Sequence, residues 1–317
     1  PEGDFLRVGV TPPKTLSTTY LTPDDPELAV LLRDARALLL PAAGPKLPTN
    51  IFDGTTVEII QVTGAGVDRL DEQTMKLLEI PVCNVPGGSN SAVANYAVAM
   101  AIMLHRRFNW ADNEISTGNY APFRAAMLSA NLSGLSGLSV GIVGFGHVGT
   151  AVAQAFANFD TNIAYFAPAA RDTEAADAIG AKPLALDELL AQSDIISLHV
   201  PLLATTQGLI GAREFTKIKP GAVLINAARG GVVDETALAE SLNSGHLGGA
   251  AVDVYSTEPP QADNPLLQLS GQAAKRLILT PHVAGVTRQA QGLLCSRAWQ
   301  NIERVLLQKK PPHNRVY

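Results

Sequence analysis

The sequence predicts an α/β protein of two domains, each a doubly wound parallel sheet flanked by helices. Three observations carry this expectation. The chain has 317 residues, too many for one ordinary core and suited to two domains of ~150 residues each. Hydrophobic residues make up 46%, charged residues 17% and aromatics 5%, the balance of buried parallel strands. Short apolar runs also alternate with Gly-rich or polar turns and then with helical patterns, the rhythm that builds parallel sheets.

Along the chain, apolar runs at 6–10, 37–40, 57–61 and 81–84 read as strands of a smaller N-terminal domain. From 90 to about 110 the pattern is helical and Ala-rich, closing on basic residues that suit a helix C-terminus. The stretch 132–138, rich in Leu, Ser and Gly, reads as a loop. Runs at 140–143, 163–166, 195–199, 222–226, 249–254 and 277–280 supply six strands, enough for a Rossmann-like sheet. A last helix over about 287–308 ends before Pro311-Pro312. The expected division places a Rossmann dinucleotide-binding domain at 97–283, with 1–96 and 284–317 together forming a substrate-binding domain.

The formal net charge is -5. Basic clusters go no further than Arg106-Arg107 and Lys309-Lys310, so no basic field exists to hold nucleic acid. The apolar run near 97–104 is closed by His105-Arg106-Arg107, well short of the ~18 residues of a membrane span. Cys83 and Cys295 are the only cysteines and form no metal or disulfide spacing. The chain begins at Pro1 without a charged-then-apolar leader. A cytoplasmic protein with no metal site, membrane or nucleic-acid partner is expected.

Gly144-Phe145-Gly146-His147-Val148-Gly149 lies between the run 140–143 and the helical pattern 150–158. In such a setting Gly144 permits a tight turn, Gly146 lets backbone approach a pyrophosphate, and Gly149 lets the helix pack on the strand. The helix N-terminus then faces the diphosphate. An NAD-selecting site places an acid ~20 residues on, at the end of the second strand. Here Ala167 takes that place and Arg171 follows, so Arg171 either meets the 2′-phosphate of NADP or pairs with Asp172 or Glu174 as a surface residue. NAD and NADP both stay open.

Three patches follow successive strands: Asn226-Ala227-Ala228-Arg229-Gly230, Asp253 to Pro259, and Thr280 to Gly285. An open α/β sheet gathers ligands at such ends. Oxidising a 2-hydroxy acid requires a cation for its carboxylate, a base for its hydroxyl proton and an acid beside that base. Arg229 has the planar fork for the first task, His282 the near-neutral imidazole for the second, and Glu258 the carboxylate that favours the imidazolium. Singly, Arg229 also reads as a turn residue, Glu258 as a surface carboxylate and His282 as a loop histidine. Together they form one mechanism. His199, which also ends a strand, is the rival base or else a cofactor-pocket or structural residue.

These segments resemble the D-isomer-specific 2-hydroxyacid dehydrogenase family, through GFGHVG, SLHVPLLATTQGLI from Ser197, NAARGGVVDETAL from Asn226, DVYSTEP from Asp253 and TPHVAG from Thr280. The resemblance implies that the smaller domain is flavodoxin-like, that Arg229 orients the substrate, and that His282 is the acid/base paired with Glu258. It implies cofactor contacts at His147, Val148, Ala227, Ala228, Arg229, Asp253 (at the carboxamide), His282 and Gly285. It further implies that the Gly64-Ala65-Gly66-Val67-Asp68 loop, through Ala65 and Gly66, faces the substrate carboxylate together with Arg229 and His282. Reduction of a small 2-keto acid such as glyoxylate or hydroxypyruvate, or phosphoglycerate dehydrogenation, is the implied activity, in a homodimer. Formate dehydrogenases carry glutamine where this chain keeps Glu258. Asn95 and Ala167 depart from the family pattern, as does the apparent insertion at 271–275. A dinucleotide-sensing corepressor-like protein is the alternative.

Overall fold

The computed structural model describes residues 2–167 and 173–317. It divides into two compact units, residues 1–89 with 286–317 and residues 90–285.

The small unit holds three parallel strands, β1 (Ala37–Pro41), β2 (Ile59–Thr63) and β3 (Val82–Cys83), in the order β1-β2-β3. β2 is central, and its first four residues are buried, as expected of a strand covered on both faces. Ile60 and Val62 pack with Phe52, Leu70 and Met75, while Ile59 packs with Trp299, Ile302 and Leu306 of the helix Arg288–Leu306. That helix is tied to the sheet by Asn301, whose Nδ2 donates to Gln61 Oε1 at 2.6 Å. The chain end runs antiparallel beside β3, bridging Arg315 to Cys83.

The strand expected over 6–10 is not formed. Residues Glu2–Leu6 are a short helix, and the amides of Gly9 and Val10 turn back onto Leu6 and Phe5 carbonyls. Gly9 adopts a φ of 71°, and Pro12-Pro13 offer no N–H to a ladder.

The large unit carries seven parallel strands: β4 (Ser139–Val143), β5 (Asn162–Phe166), β6 (Lys182–Pro183), β7 (Ile195–Leu198), β8 (Val223–Asn226), β9 (Gly249–Val252) and β10 (Leu277–Leu279). Their order, β10-β9-β8-β7-β4-β5-β6, reverses direction between β4 and β7. This is the topological switch point at which doubly wound sheets take ligands. Every residue of β7, β8 and β9 is buried. β6, absent from the expected six strands, is a two-residue edge with both residues exposed.

The helix Asn90–His105 lies wholly in the large unit, whose bounds fall at 89/90 and 285/286, beside the expected domain boundaries at 96/97 and 283/284. The helix also stops short of 110, because Arg107 turns left-handed at φ 54° and a new helix, Phe108–Ser116, begins. No helix among the described residues is long and apolar enough to cross a membrane.

Candidate active site

The glycine turn follows β4 directly, and its three glycines are constrained differently. Gly144 has φ 98°, and a Cβ there would lie 2.7 Å from the His199 carbonyl. A Cβ on Gly149 would lie 1.9 Å from Gly144 O, so this glycine lets the helix His147–Ala157 close onto its own turn. A Cβ on Gly146 would meet nothing within 4 Å. The protein's own packing therefore makes no demand for glycine at 146, and the open space is where a pyrophosphate would approach. His147 is exposed and Val148 half-buried at the helix start, and Asn90 Nδ2 donates to His147 O at 3.0 Å. Ala167 follows β5 with no acid in its place. Arg171 lies outside the described residues.

After β8, the buried Asn226 shapes the turn that carries Arg229. Its Oδ1 accepts from Ala228 N at 3.2 Å, and its Nδ2 reaches Arg229 O at 3.4 Å. Arg229 Nη1 donates to Ala228 O at 2.7 Å, leaving Ala227 half-buried beside it. A Cβ on Gly230 would lie 1.7 Å from Tyr255 O, so the loops after β8 and β9 touch backbone to backbone.

The loop after β9 holds Glu258 from two sides. Tyr255 N donates to Glu258 Oε1 at 3.1 Å and His282 Nδ1 lies 2.8 Å from Glu258 Oε2. Burial opposes ionisation of Glu258, but the His282 and Tyr255 hydrogen bonds and the charges of His282 and Arg229 outweigh it, holding the carboxyl below its ordinary value. The loop is anchored by Glu235, whose carboxylate accepts from Ser256 N, Ser256 Oγ and Asn264 Nδ2 at 2.7, 2.9 and 2.8 Å. Glu235 and Asn264 were not singled out by sequence reasoning, since their partners lie more than 20 residues away in the chain.

After β10, His282 takes φ 54°. Its amide donates to Asp253 O at 2.8 Å, and the buried Asp253 side chain accepts from Val283 N and Ala284 N, each at 2.8 Å. Gly285 closes this loop half-buried. The structure thus joins Arg229, Asp253, Glu258 and His282 in one set of linked loops.

His199 follows β7, and its ring is bonded to that strand. Its Nε2 is 2.8 Å from Ser197 Oγ, and burial pushes its imidazole down to about 3, so it stays neutral near pH 7 and has no proton to donate as an imidazolium.

Ala65 and Gly66 belong to the small unit, in the loop after β2. Asn84 Nδ2 donates to Ala65 O at 2.7 Å, and a Cβ on Gly64 would meet Ala42 Cβ at 2.6 Å. Near this loop, Thr63, Pro41, Leu40 and Arg69 help line a mainly apolar cavity of about 870 Å³.

A seven-stranded parallel sheet with a glycine turn at its switch point, an open cradle at Gly146 and loops converging at the strand ends defines a Rossmann-type dinucleotide-binding protein. Residues 98–284 match the family model described as D-isomer specific 2-hydroxyacid dehydrogenase, NAD binding domain. The chain belongs to that family. It is 39% identical over 235 residues to a D-3-phosphoglycerate dehydrogenase of Archaeoglobus fulgidus, covering 74% of this chain and 42% of that protein. It is 33% identical over 292 residues to a glyoxylate reductase of Thermofilum pendens, covering 92% and 84%. The NAD-dependent formate dehydrogenase of Staphylococcus aureus, solved in complex with NAD, matches with a TM-score of 0.80 at 26% identity, covering 93% and 86%. The chain spans less than half the length of the phosphoglycerate dehydrogenases it matches.

Proposed function

We propose that this chain is an NAD(P)-dependent dehydrogenase interconverting a small 2-keto acid and its D-2-hydroxy acid, glyoxylate or hydroxypyruvate first and the phosphoglycerate couple next. The observation that carries the reading is the 2.8 Å contact of His282 Nδ1 with a Glu258 held below its ordinary carboxyl value. With Nδ1 committed, Nε2 is the ring nitrogen left to exchange a proton with the substrate oxygen. In reduction, His282 donates that proton and the ionised Glu258 stabilises and orients the ring. Arg229 draws the substrate carboxylate and polarises the keto group. Ala65 and Gly66 are assigned to the substrate by family resemblance.

The residues fit a dinucleotide: the Gly144, Gly146 and Gly149 turn would take the diphosphate, and by the family resemblance His147, Val148, Ala227, Ala228 and Gly285 would be further contacts of the cofactor. Asp253 retains a lone pair for the carboxamide beyond the bonds it makes to its own loop. Bound NAD(P)H supplies the hydride. Ala167 removes the usual selector of NAD, which supports use of NADP, with Arg171 as the 2′-phosphate contact.

Two further assignments belong to this proposal. The chain forms a homodimer, supported by Phe108, Ile115, Tyr120 and Leu128, which are exposed on two helices without a buried residue. Its home is the cytoplasm, which suits the buried free thiols Cys83 and Cys295.

The test is the loss of NADPH or NADH absorbance with glyoxylate, hydroxypyruvate, pyruvate, phenylpyruvate and 3-phosphohydroxypyruvate. Turnover is expected, and His282→Ala should reduce it at least ~100-fold with cofactor binding retained. Cofactor binding without turnover across the panel would overturn the reading in favour of a dinucleotide sensor.

A further inference from the structure

The helix Asn90–His105 is buried chiefly through Ala92, Val93, Ala94, Ala97, Val98 and Ala101, yet it carries one phenol. Tyr96 OH lies 2.8 Å from Thr280 Oγ1, and Thr280 Oγ1 lies 2.5 Å from Asp253 Oδ1. We propose that Tyr96 is a positioning residue for His282, the outer member of a directed hydrogen-bond chain through Thr280 to Asp253. The proposal rests on the reading of His282 as the acid/base group.

The direction of the chain follows from counting protons. Asp253 accepts from Val283 N at Oδ1 and from Ala284 N at Oδ2, so its carboxylate is an acceptor at both oxygens. Thr280 must then donate its single hydroxyl proton to Oδ1. Having spent that proton, Thr280 Oγ1 can only accept from Tyr96, which donates. Burial pushes the Tyr96 phenol up to about 12, so the donor persists throughout the working pH range. Linked bonds of this kind polarise and orient one another.

The chain ends on the two amides that follow His282. His282 holds a left-handed φ of 54°, a conformation disfavoured for a residue with a Cβ, so the loop needs restraint on both sides. Upstream, Tyr255 OH donates to Thr280 O at 2.9 Å and Thr280 N donates to Val252 O at 3.0 Å. Downstream, the restraint is the Asp253 carboxylate, and Tyr96 fixes the hydroxyl that orients it.

The experiment measures amide exchange at Val283 and Ala284 by NMR, together with kcat and KM, in Tyr96→Phe, Thr280→Val, the double variant and Thr280→Ser. Tyr96→Phe should speed exchange at both amides by about tenfold, the worth of one hydrogen bond, and lower kcat by a similar factor with the keto-acid KM within about twofold. Because Tyr96 acts through Thr280, the same change in the Thr280→Val background should add less than about twofold. Thr280→Ser keeps the donor and should retain wild-type exchange. Unchanged exchange in Tyr96→Phe, or an equal cost in both backgrounds, would overturn the proposal and leave Tyr96 as packing. Exchange is read without substrate, so absence of turnover in the wild type would defeat the enzymatic reading while leaving the positioning question answered.

Discussion

Gly230→Ala isolates what the backbone contact between the loops after β8 and β9 contributes. The added Cβ would lie 1.7 Å from Tyr255 O, 2.0 Å from Tyr255 C and 2.7 Å from Ser256 N. All three are backbone atoms, so no rotamer change relieves the contact. Ordinary packing separations of roughly 3.5 Å require the loops to part by on the order of 1.5–2 Å. Arg229 immediately precedes the substituted residue, and Glu258 lies three residues beyond Tyr255, with its Oε1 on the Tyr255 amide. Overpacking of this kind costs about 1–3 kcal/mol of stability, while a 1 Å displacement of catalytic groups costs on the order of 100-fold in rate. The expected result is therefore a folded protein, melting somewhat lower, with kcat/KM down about 100-fold and cofactor binding at the β4 turn little changed. Kinetics with the best substrate of the panel, thermal melting and nicotinamide fluorescence titration read the three quantities. Activity within about threefold of wild type would show that the arrangement of Arg229 against Glu258 is not what the contact secures.

Acid should weaken the loop through Glu258. Its folded carboxyl sits below the ordinary value, so its stabilising contribution is complete above the unfolded-state carboxyl value of about 4.3 and is lost as pH falls through the folded one. Melting measured from pH 7 down to pH 3 should decline less steeply in Glu258→Gln than in wild type; parallel declines would place the titrating contribution elsewhere. Ala167→Asp restores an acid after β5 and should shift the ratio of NADH to NADPH affinity at least about tenfold toward NADH, by pairing with the ribose hydroxyls and repelling a 2′-phosphate. Equal affinities before and after the change would remove residue 167 from cofactor choice.

The Rossmann strands were legible because burial on both faces leaves continuous apolar runs, such as Val223–Asn226, closed by turn residues. β6 left no such trace, since Lys182 and Pro183 are exposed and owe their strand geometry to pairing with Ala164 and Tyr165 of β5. The run at 6–10 carried a strand's composition, but its amides are spent in a local turn at Gly9. The apolar pattern over 90–110 continued through Arg107, where a left-handed backbone divides one expected helix into two. Arg229, Glu258 and His282 were picked out as candidates because each follows a strand and supplies a different chemical group, and the structure brings their loops together. Tyr96, Thr280, Glu235 and Asn264 act through partners between 21 and 184 residues distant, and only the folded chain brings those together.

The strand order explains how three separate loops come side by side for the proposed reaction. β8, β9 and β10 are neighbours, so their ends are spaced by roughly 4.8 Å per strand, close enough for adjoining loops to bond. Two devices hold these loops together. Gly230 lets the Arg229 loop lie on the Tyr255 carbonyl, and Asp253, the residue after β9, reaches across to hold the amides after His282. The left-handed φ of 54° at His282, a conformation costing about 1–2 kcal/mol for a non-glycine residue, is sustained by this second device. Replacing Asp253 would therefore disturb the proposed proton-transfer pair as much as the proposed cofactor contact, and a loss of turnover in such a variant assigns Asp253 to the cofactor only if binding of the dinucleotide weakens in proportion.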